Sequence, residues 1–450
     1  MSKRVGIAVL GAGLTGLGSA YRLTELGNND FVVYDQHPYV GGHAASFTTA
    51  EGFTFDEGGH VLFSHYPYFD SIVDRALEGK RLNHQRASWI WIAGHWVKYP
   101  FQEHLFHLPP ALAYECIAGL IEEASANGQR TPANFLEWIE ASFGGGIARQ
   151  FMVPYNEKVW AHPLNVMDYG WIDERVATID LPKVMRRFIF REESQWGPNS
   201  VFSYPLEGGF GGLPRGVARF VDPERVRLRQ AVAAVDVQER RVVFRNGTDV
   251  HYESLISSLP LPLLLRLLTS ALPSQLQAAT GRFLRNRVFV IGIGARGKSP
   301  SSKHWVYFPE PQYPFYRLTF LSNYSPSVVP RSDTYSLLME IAFSPHRPLD
   351  RRRAISDTVS RLEELGFLKR DNILSVWSKG MSYAYPLPFL GRDALLSEAH
   401  AFLETHGIYS RGRFGGWRYE IGNSDHSFMQ GVEVVNRILA GTREETYALR

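Results

Sequence analysis

Three glycines and one acid near the start of the chain carry chemical meaning through their spacing. In "LGAGLTGLG", Gly11 admits a tight turn, Gly13 lets backbone approach a pyrophosphate, and Gly16 allows close packing of the helix that follows. Thr15 lies inside the same turn and belongs to the same candidate site. Asp35, about twenty residues further on, is spaced to accept a ribose hydroxyl. The order "VGIAVL", amphipathic run, "FVVYDQ" reads as strand, helix and strand, which makes this a βαβ dinucleotide unit.

Two glycine doublets sharpen the choice of dinucleotide. "DQHPYVGGHAASF" brings Gly42 and His43 after the second strand, and "DEGGHVLF" brings Gly58, Gly59 and His60. Backbone that approaches a ligand repeatedly suits a large flat cofactor, so FAD is expected rather than NAD. His60 is expected over the flavin ring, where a histidine can tune the ring or move a proton. A third glycine-rich stretch, "SRGRFGGWRYEIGNSDHSFMQG" at 410–431, precedes an apolar helical pattern. Ser427 and Gln430 have capping-box spacing, so a helix is expected to start there and to turn its N-terminal amides toward a reduced flavin.

The elements that position these residues follow from composition and pattern. The chain has 450 residues, 44% hydrophobic and 21% charged, which indicates an ordinary folded protein of two or three domains. A net charge of +3 gives no nucleic-acid field, and no membrane span or signal peptide is read. Cys116 is the single cysteine, which excludes internal disulfides and fits a reducing cytoplasm. "EHLFH" lacks the HExxH order, so no metal is expected.

The fold class expected is α/β: an FAD-binding Rossmann-like βαβ domain with an inserted helical domain and an antiparallel-sheet domain. The FAD-binding domain is read at 1–85 with 206–290 and 405–450. The helical domain is read at 102–197, and includes "TPANFLEWIEASF" with Thr131 as N-cap. The antiparallel-sheet domain is read at 291–404 with 86–101.

Seven longer motifs then point one way: "GGHVLFSHYPYFD", "KYPFQ", "FMVPYNEKVWA", "WGPNSVF", "PFYRLTFLSNYSP", "YAYPLP" and "GRFGGWRYEIGNSDHSFMQGVE". Over nearly its whole length the chain resembles the UDP-galactopyranose mutases of eukaryotic type. That resemblance implies a flavin-dependent isomerase that interconverts the pyranose and furanose forms of UDP-galactose with no net redox change. It implies reduced FAD whose N5 bonds to the anomeric carbon as UDP leaves, and NADPH as the reductant. A catalyst of that kind explains why no Ser-His-Asp or Cys-His set is needed.

The resemblance also assigns residues. Arg175 and Arg317 match the two sugar-nucleotide arginines, and with His60 they form the expected catalytic set. Tyr307, Tyr385 and Tyr419 match phosphate-binding tyrosines. Tyr99, Phe101 and Gln102, with Phe151 and Asn156, match the uracil side. Phe63, Trp160, Asn199 and Trp305 match the sugar pocket. On the flavin side stand Arg86, Ser88, Val232, Arg413, Gly422, Asn423, Ser424 and Ser427.

The chain departs from the family where His43 stands in place of leucine or another residue, and where Ser424 replaces a glutamine that contacts FAD in fungal relatives. The connection after "SNYSPSVVP" is shorter than in fungal members, which implies altered loop or oligomer contacts. The rival readings are a mutase for another nucleotide-linked hexose, deoxy or N-acetylated, and an FAD amine oxidase-like oxidoreductase.

Overall fold

Gly16 shows why the first crossover is glycine-rich: a Cβ at that position would lie 1.8 Å from the Gly11 carbonyl oxygen. In the computed structural model, the described residues are 3–125, 131–172, 176–177, 179–194, 197–269 and 272–448. Strand Lys3–Leu10 runs parallel to Phe31–Tyr34 on one side and to Asp249–Ser257 on the other, with helix Leu14–Glu25 between the first two in sequence. All four residues of Phe31–Tyr34 are buried, which is the reason a short continuous apolar run forms a strand here. The complete sheet runs Val232–Asp236, Arg241–Phe244, Asp249–Ser257, Lys3–Leu10, Phe31–Tyr34, Val226–Arg227, and Ile408–Ser410 also pairs with Asp249–Ser257.

The end of the chain returns to this sheet. Helix Ser424–Ala440 crosses Leu14–Glu25 so closely that a Cβ on Gly431 would sit 2.0 Å from the Thr15 carbonyl oxygen. Ser19 Oγ donates to the Gly431 carbonyl at 3.0 Å across the same contact. Backbone meets backbone, so no side chain fits between the helices.

A second sheet has the order Ile373–Pro386, Arg285–Arg296, Thr334–Phe343, Arg317–Thr319, Trp305–Tyr307, Ser88–Ile92, His95–Lys98. Its pairs are antiparallel except for Trp305–Tyr307 against Ser88–Ile92. Between Tyr99 and Val201 the chain is mainly helical, with Pro110–Ser125, Phe135–Ile147, Val153–Trp160 and Leu181–Phe190. Cys116, Phe135, Ile139, Phe143 and Ile147 give these helices a fully buried core of their own.

Two helix starts differ from the expectation. Asn134, not Thr131, caps Phe135–Ile147: its side chain accepts the Glu137 amide, while Glu137 accepts the Ala133 amide at 2.9 Å. The last helix begins at Ser424 behind Asn423 rather than at Ser427. Gln430 is drawn away from capping because it braces the preceding loop, accepting the Gly412 amide at 2.7 Å and donating to the Ile421 carbonyl at 2.8 Å.

The helix crossing gives a direct stability test. Gly431→Ala forces a methyl into the Thr15 carbonyl, and overpacking of this kind costs about 1–3 kcal/mol. The expected result is a lower thermal midpoint and a lower urea midpoint; unchanged midpoints would contradict the contact.

Candidate functional site

The first part of the site is a helix end built for an anion. Gly13 precedes Leu14–Glu25, and among the described residues no side chain caps it. Its backbone bridges to Gly41, whose amide donates to the Ala12 carbonyl at 2.7 Å, so the first glycine doublet lies against the turn. Asp35 follows the second strand. Its Oδ2 accepts the Ala12 amide and its Oδ1 the His37 amide, each at 2.7 Å. The Gln230 amide donates to the Asp35 carbonyl at 2.7 Å, which draws the strand that starts at Val232 alongside. The helix end, the glycines, Asp35 and Val232 are therefore one continuous cradle, at the positions a dinucleotide takes in such folds.

The second part comes from the period of a strand. Trp305 faces Thr319, Tyr307 faces Arg317, Arg317 faces Glu340 and Ser88 faces Trp305 across neighbouring strands. Alternation along each strand puts Trp305, Tyr307, Arg317, Thr319 and Glu340 on one face. Glu340 is 2% exposed and accepts Nε of Arg317 and the Tyr316 hydroxyl. Arg317 Nη2 also donates to the Gly59 carbonyl at 3.1 Å, so the second glycine doublet rests on this guanidinium. Burial alone would lower the pKa of Arg317, but the adjacent Glu340 carboxylate overcomes it and holds the group charged.

His60 stacks on Phe210 at 4.9 Å, and its Nδ1 is buried without a hydrogen-bond partner among the described residues. Burial, followed by the nearby Arg413, pushes its pKa down to about 4, so the ring is neutral at neutral pH. Arg413 Nε donates to the Gly422 carbonyl at 2.7 Å, and its guanidinium lies 5.5 Å from the Tyr385 ring centre. Residues separated by some 350 positions thus surround one histidine.

Aromatic rings form the remaining wall. Tyr307 packs against Tyr99 at 5.4 Å and Tyr155 at 5.2 Å, and Tyr419 packs against Trp160 at 5.0 Å and Tyr385 at 5.6 Å. Arg86 lies 5.2 Å from the Tyr99 ring and donates to Asn199 Oδ1 at 2.5 Å. Tyr99, Tyr155, Tyr307 and Tyr385 are surrounded by protein yet keep accessible surface, which describes the lining of a deep cleft. Burial raises all four phenols, so each remains a protonated donor.

Some expected residues reach the cleft only through neighbours. Phe101 is 0% exposed and stacks on Phe151 at 4.8 Å, while Tyr155 takes the next place in the stack at 5.1 Å. Gln102 is buried and donates Nε2 to the Ala177 carbonyl at 2.6 Å. Asn156 accepts Trp160 Nε1 at 3.2 Å and donates to the Met152 carbonyl at 2.8 Å. Trp160 is 2% exposed, and Phe63 sits beside His65 on the loop after His60. Arg175 lies outside the described residues. Asn423, Ser424 and Ser427 line the start of the last helix, with Ser424 its first residue. His43 Nδ1 pairs with the buried Glu57 at 2.8 Å and meets the Phe414 ring.

Sequence reasoning missed Glu340 and Tyr155. A single acid in the ten-residue run "TYSLLMEIAF" is the signal for the first. Tyr155 stands in "FMVPYNEKVWA" directly before Asn156. Among the described residues, His65, Asp425 and His426 bring three metal-ligating side chains together. Asp425 Oδ2 accepts both the His65 amide at 3.1 Å and Nδ1 at 2.8 Å, and the first turn of a helix disfavours a cation. The cluster therefore acts as a tether between the loop after His60 and the last helix.

The uncapped helix end, the first glycine doublet laid against it and the orphaned His60 Nδ1 fit FAD. The family model of flavin containing amine oxidoreductases matches residues 14–401. A crystal structure of reduced UDP-galactopyranose mutase is similar with a TM-score of 0.95 and 39% identity, over 99% of this chain and 97% of that one. Putrescine oxidase bound to putrescine shares the fold at a TM-score of 0.66 and 16% identity, over 98% of this chain and 100% of that one. The "Probable zeta-carotene desaturase" of Synechococcus elongatus is 40% identical over 60 residues, which are 13% of this chain and 12% of that protein. The match spans about an eighth of that relative's length.

His60 also carries a pH signature. The native ring has a pKa of about 4 against 6.5 for the unfolded one. Below the unfolded value the unfolded chain binds a proton that the native state rejects, so stability falls as pH drops from 6.5 toward 4. The urea midpoint of the FAD-loaded protein is expected to fall through that window, and His60→Asn to flatten the fall. An unaltered slope in the variant would show that His60 is not held neutral.

Proposed function

The chain belongs to the UDP-galactopyranose mutases, within the wider family of flavin containing amine oxidoreductases, and we propose that its cleft grips the substrate diphosphate between Arg317 and the phenols of Tyr307, Tyr385 and Tyr419. It is a flavin-dependent isomerase, and FAD is its cofactor. The observation that carries the reading is likeness to one mutase at 39% identity over 99% of this chain.

When bound and reduced, FAD supplies a nucleophilic ring nitrogen at the sugar carbon, with no net oxidation of the substrate. The chain's own residues do the rest. Arg317 stays charged beside Glu340, and it meets the negative charge that grows on UDP as the glycosidic bond lengthens. The tyrosines add neutral donors on rigid rings, which hold phosphate oxygens without repelling one another. Arg175 is the second cation in this proposal. Neutral His60 is able to take a proton from a sugar hydroxyl and to return one as the ring closes. The wall of Tyr99, Phe151 and Tyr155 covers the base and excludes water from that side of the cleft.

Gln102, buried, uses its amide nitrogen on the Ala177 carbonyl and so supports the uracil side from behind. Galactose is the sugar proposed, NADPH the reductant, and a reducing compartment suits the single buried thiol of Cys116. The expected three-domain division places this cleft where the domains meet. An amine or carotenoid substrate would gain nothing from an arginine and tyrosine clamp, which is why the oxidase reading is not favoured. Among the described residues no helix is long and apolar enough to cross a membrane.

The test is chromatographic. Dithionite-reduced protein is expected to convert UDP-galactofuranose to the pyranose form, and air-oxidised protein is not. Arg317→Ala should lower kcat/KM by roughly 10²–10³, the usual effect of removing one such stabilising donor, while keeping its yellow flavin. Turnover by the oxidised protein with consumption of oxygen, or full activity in Arg317→Ala, would overturn the proposal.

A further inference from the structure

Lys158 makes an arrangement that the chemistry above does not use. It lies on Val153–Trp160, is 4% exposed, and donates Nζ to four backbone carbonyls: Phe308 at 2.6 Å, Glu310 at 3.0 Å, Tyr313 at 2.9 Å and Phe315 at 2.8 Å. Carboxylates are absent from these hydrogen-bond partners. Isolated buried charge is costly, and here backbone dipoles replace the water shell. A lysine ammonium has three N–H groups, so one of them is shared between two carbonyls. An uncharged amine would turn a lone pair toward one of the oxygens. Burial and then Arg347 push the pKa of Lys158 well below its ordinary value, with Glu310 acting in the opposite sense; the four carbonyl oxygens around Nζ are the groups that favour the proton.

The four carbonyls all belong to the connection between strands Trp305–Tyr307 and Arg317–Thr319. Phe308 directly follows Tyr307, and Phe315 comes two residues before Arg317. The connection is closed further by Phe308 N donating to the Tyr316 carbonyl at 3.0 Å. On its own helix, Lys158 is two residues from Trp160, the last residue of that helix, which packs on Tyr385 and Tyr419.

We propose that Lys158 is a positioning residue: its ammonium is a built-in monovalent cation that folds the 308–315 connection around itself and so fixes Tyr307 and Arg317 relative to Trp160 across the cleft. It touches no substrate in this account. The proposal rests on the diphosphate reading of the cleft and adds the group that sets its spacing. Four carbonyl oxygens at these distances also form the environment that potassium or ammonium ions select when they shed their water.

The experiment measures UDP binding to the FAD-loaded protein by calorimetry, for the unaltered chain, Lys158→Met and Lys158→Ala. Lys158→Met, similar in length but without charge, is expected to keep its flavin and to bind UDP at least tenfold more weakly. Lys158→Ala leaves the carbonyl cage without its cation. Its UDP affinity is expected to recover when potassium or ammonium chloride is added, and not with lithium or tetramethylammonium chloride at equal ionic strength. The unaltered protein should respond equally to all four salts.

Unchanged UDP affinity in Lys158→Met overturns the proposal, as does equal recovery with every salt. Loss of flavin together with UDP binding in both variants also overturns it, because the role assigned is confined to the substrate side. Failure of UDP to bind the unaltered protein would instead refute the diphosphate reading on which the proposal rests.

Discussion

The cleft is organised by a buried ion pair, Arg317 with Glu340. The two side chains are 20% and 3% exposed, so neither is hydrated as it would be at the surface. Removing one member of such a pair typically costs about 3–5 kcal/mol, because the survivor is left charged and uncompensated. Glu340 also receives the Tyr316 hydroxyl, and Arg317 also reaches the Gly59 carbonyl. One carboxylate therefore fixes the guanidinium, and through it the loop that carries His60. A cation held this firmly loses little freedom when an anion arrives, which is the energetic meaning of preorganisation.

The rest of the fold brings parts to that pair. Strand alternation supplies Trp305, Tyr307 and Arg317 on one face, while the helical segment supplies Tyr155 and Trp160. The chain's end supplies Arg413 and Tyr419, and it stays in place because Gln430 braces the loop and Gly431 lets two helices touch. Asp425 holds His65, so the stretch that begins at His60 is fastened at both ends, by Arg317 and by the last helix. The loop that carries His60 joins the two halves, lying between the Arg317 guanidinium and the last helix.

Much of this was legible in the sequence, for identifiable reasons. Gly11, Gly13, Gly16 and Asp35 announce themselves because close backbone approach leaves few residue types available. Arg317, Tyr307, Tyr385 and Tyr419 were legible through long motifs, since nothing in the local pattern of a strand shows which distant strand it will face. Glu340 was missed because an acid inside an apolar strand has no meaning until its partner is known. Local spacing alone predicts helix starts at Thr131 and Ser427. Asn134 and Asn423 won because Glu137 completes one cap and tertiary contacts claim Gln430 at the other. Phe101 and Gln102 have the right chemistry for a base, yet packing uses the ring face of one and the amide nitrogen of the other.

The most direct measurement is a crystal structure of the reduced, FAD-loaded protein with UDP. The account predicts diphosphate oxygens within hydrogen-bonding distance of the Arg317 guanidinium and of the hydroxyls of Tyr307, Tyr385 and Tyr419, with His60 facing the flavin ring. A diphosphate bound elsewhere, with Arg317 turned only toward Glu340 and Gly59, would contradict it.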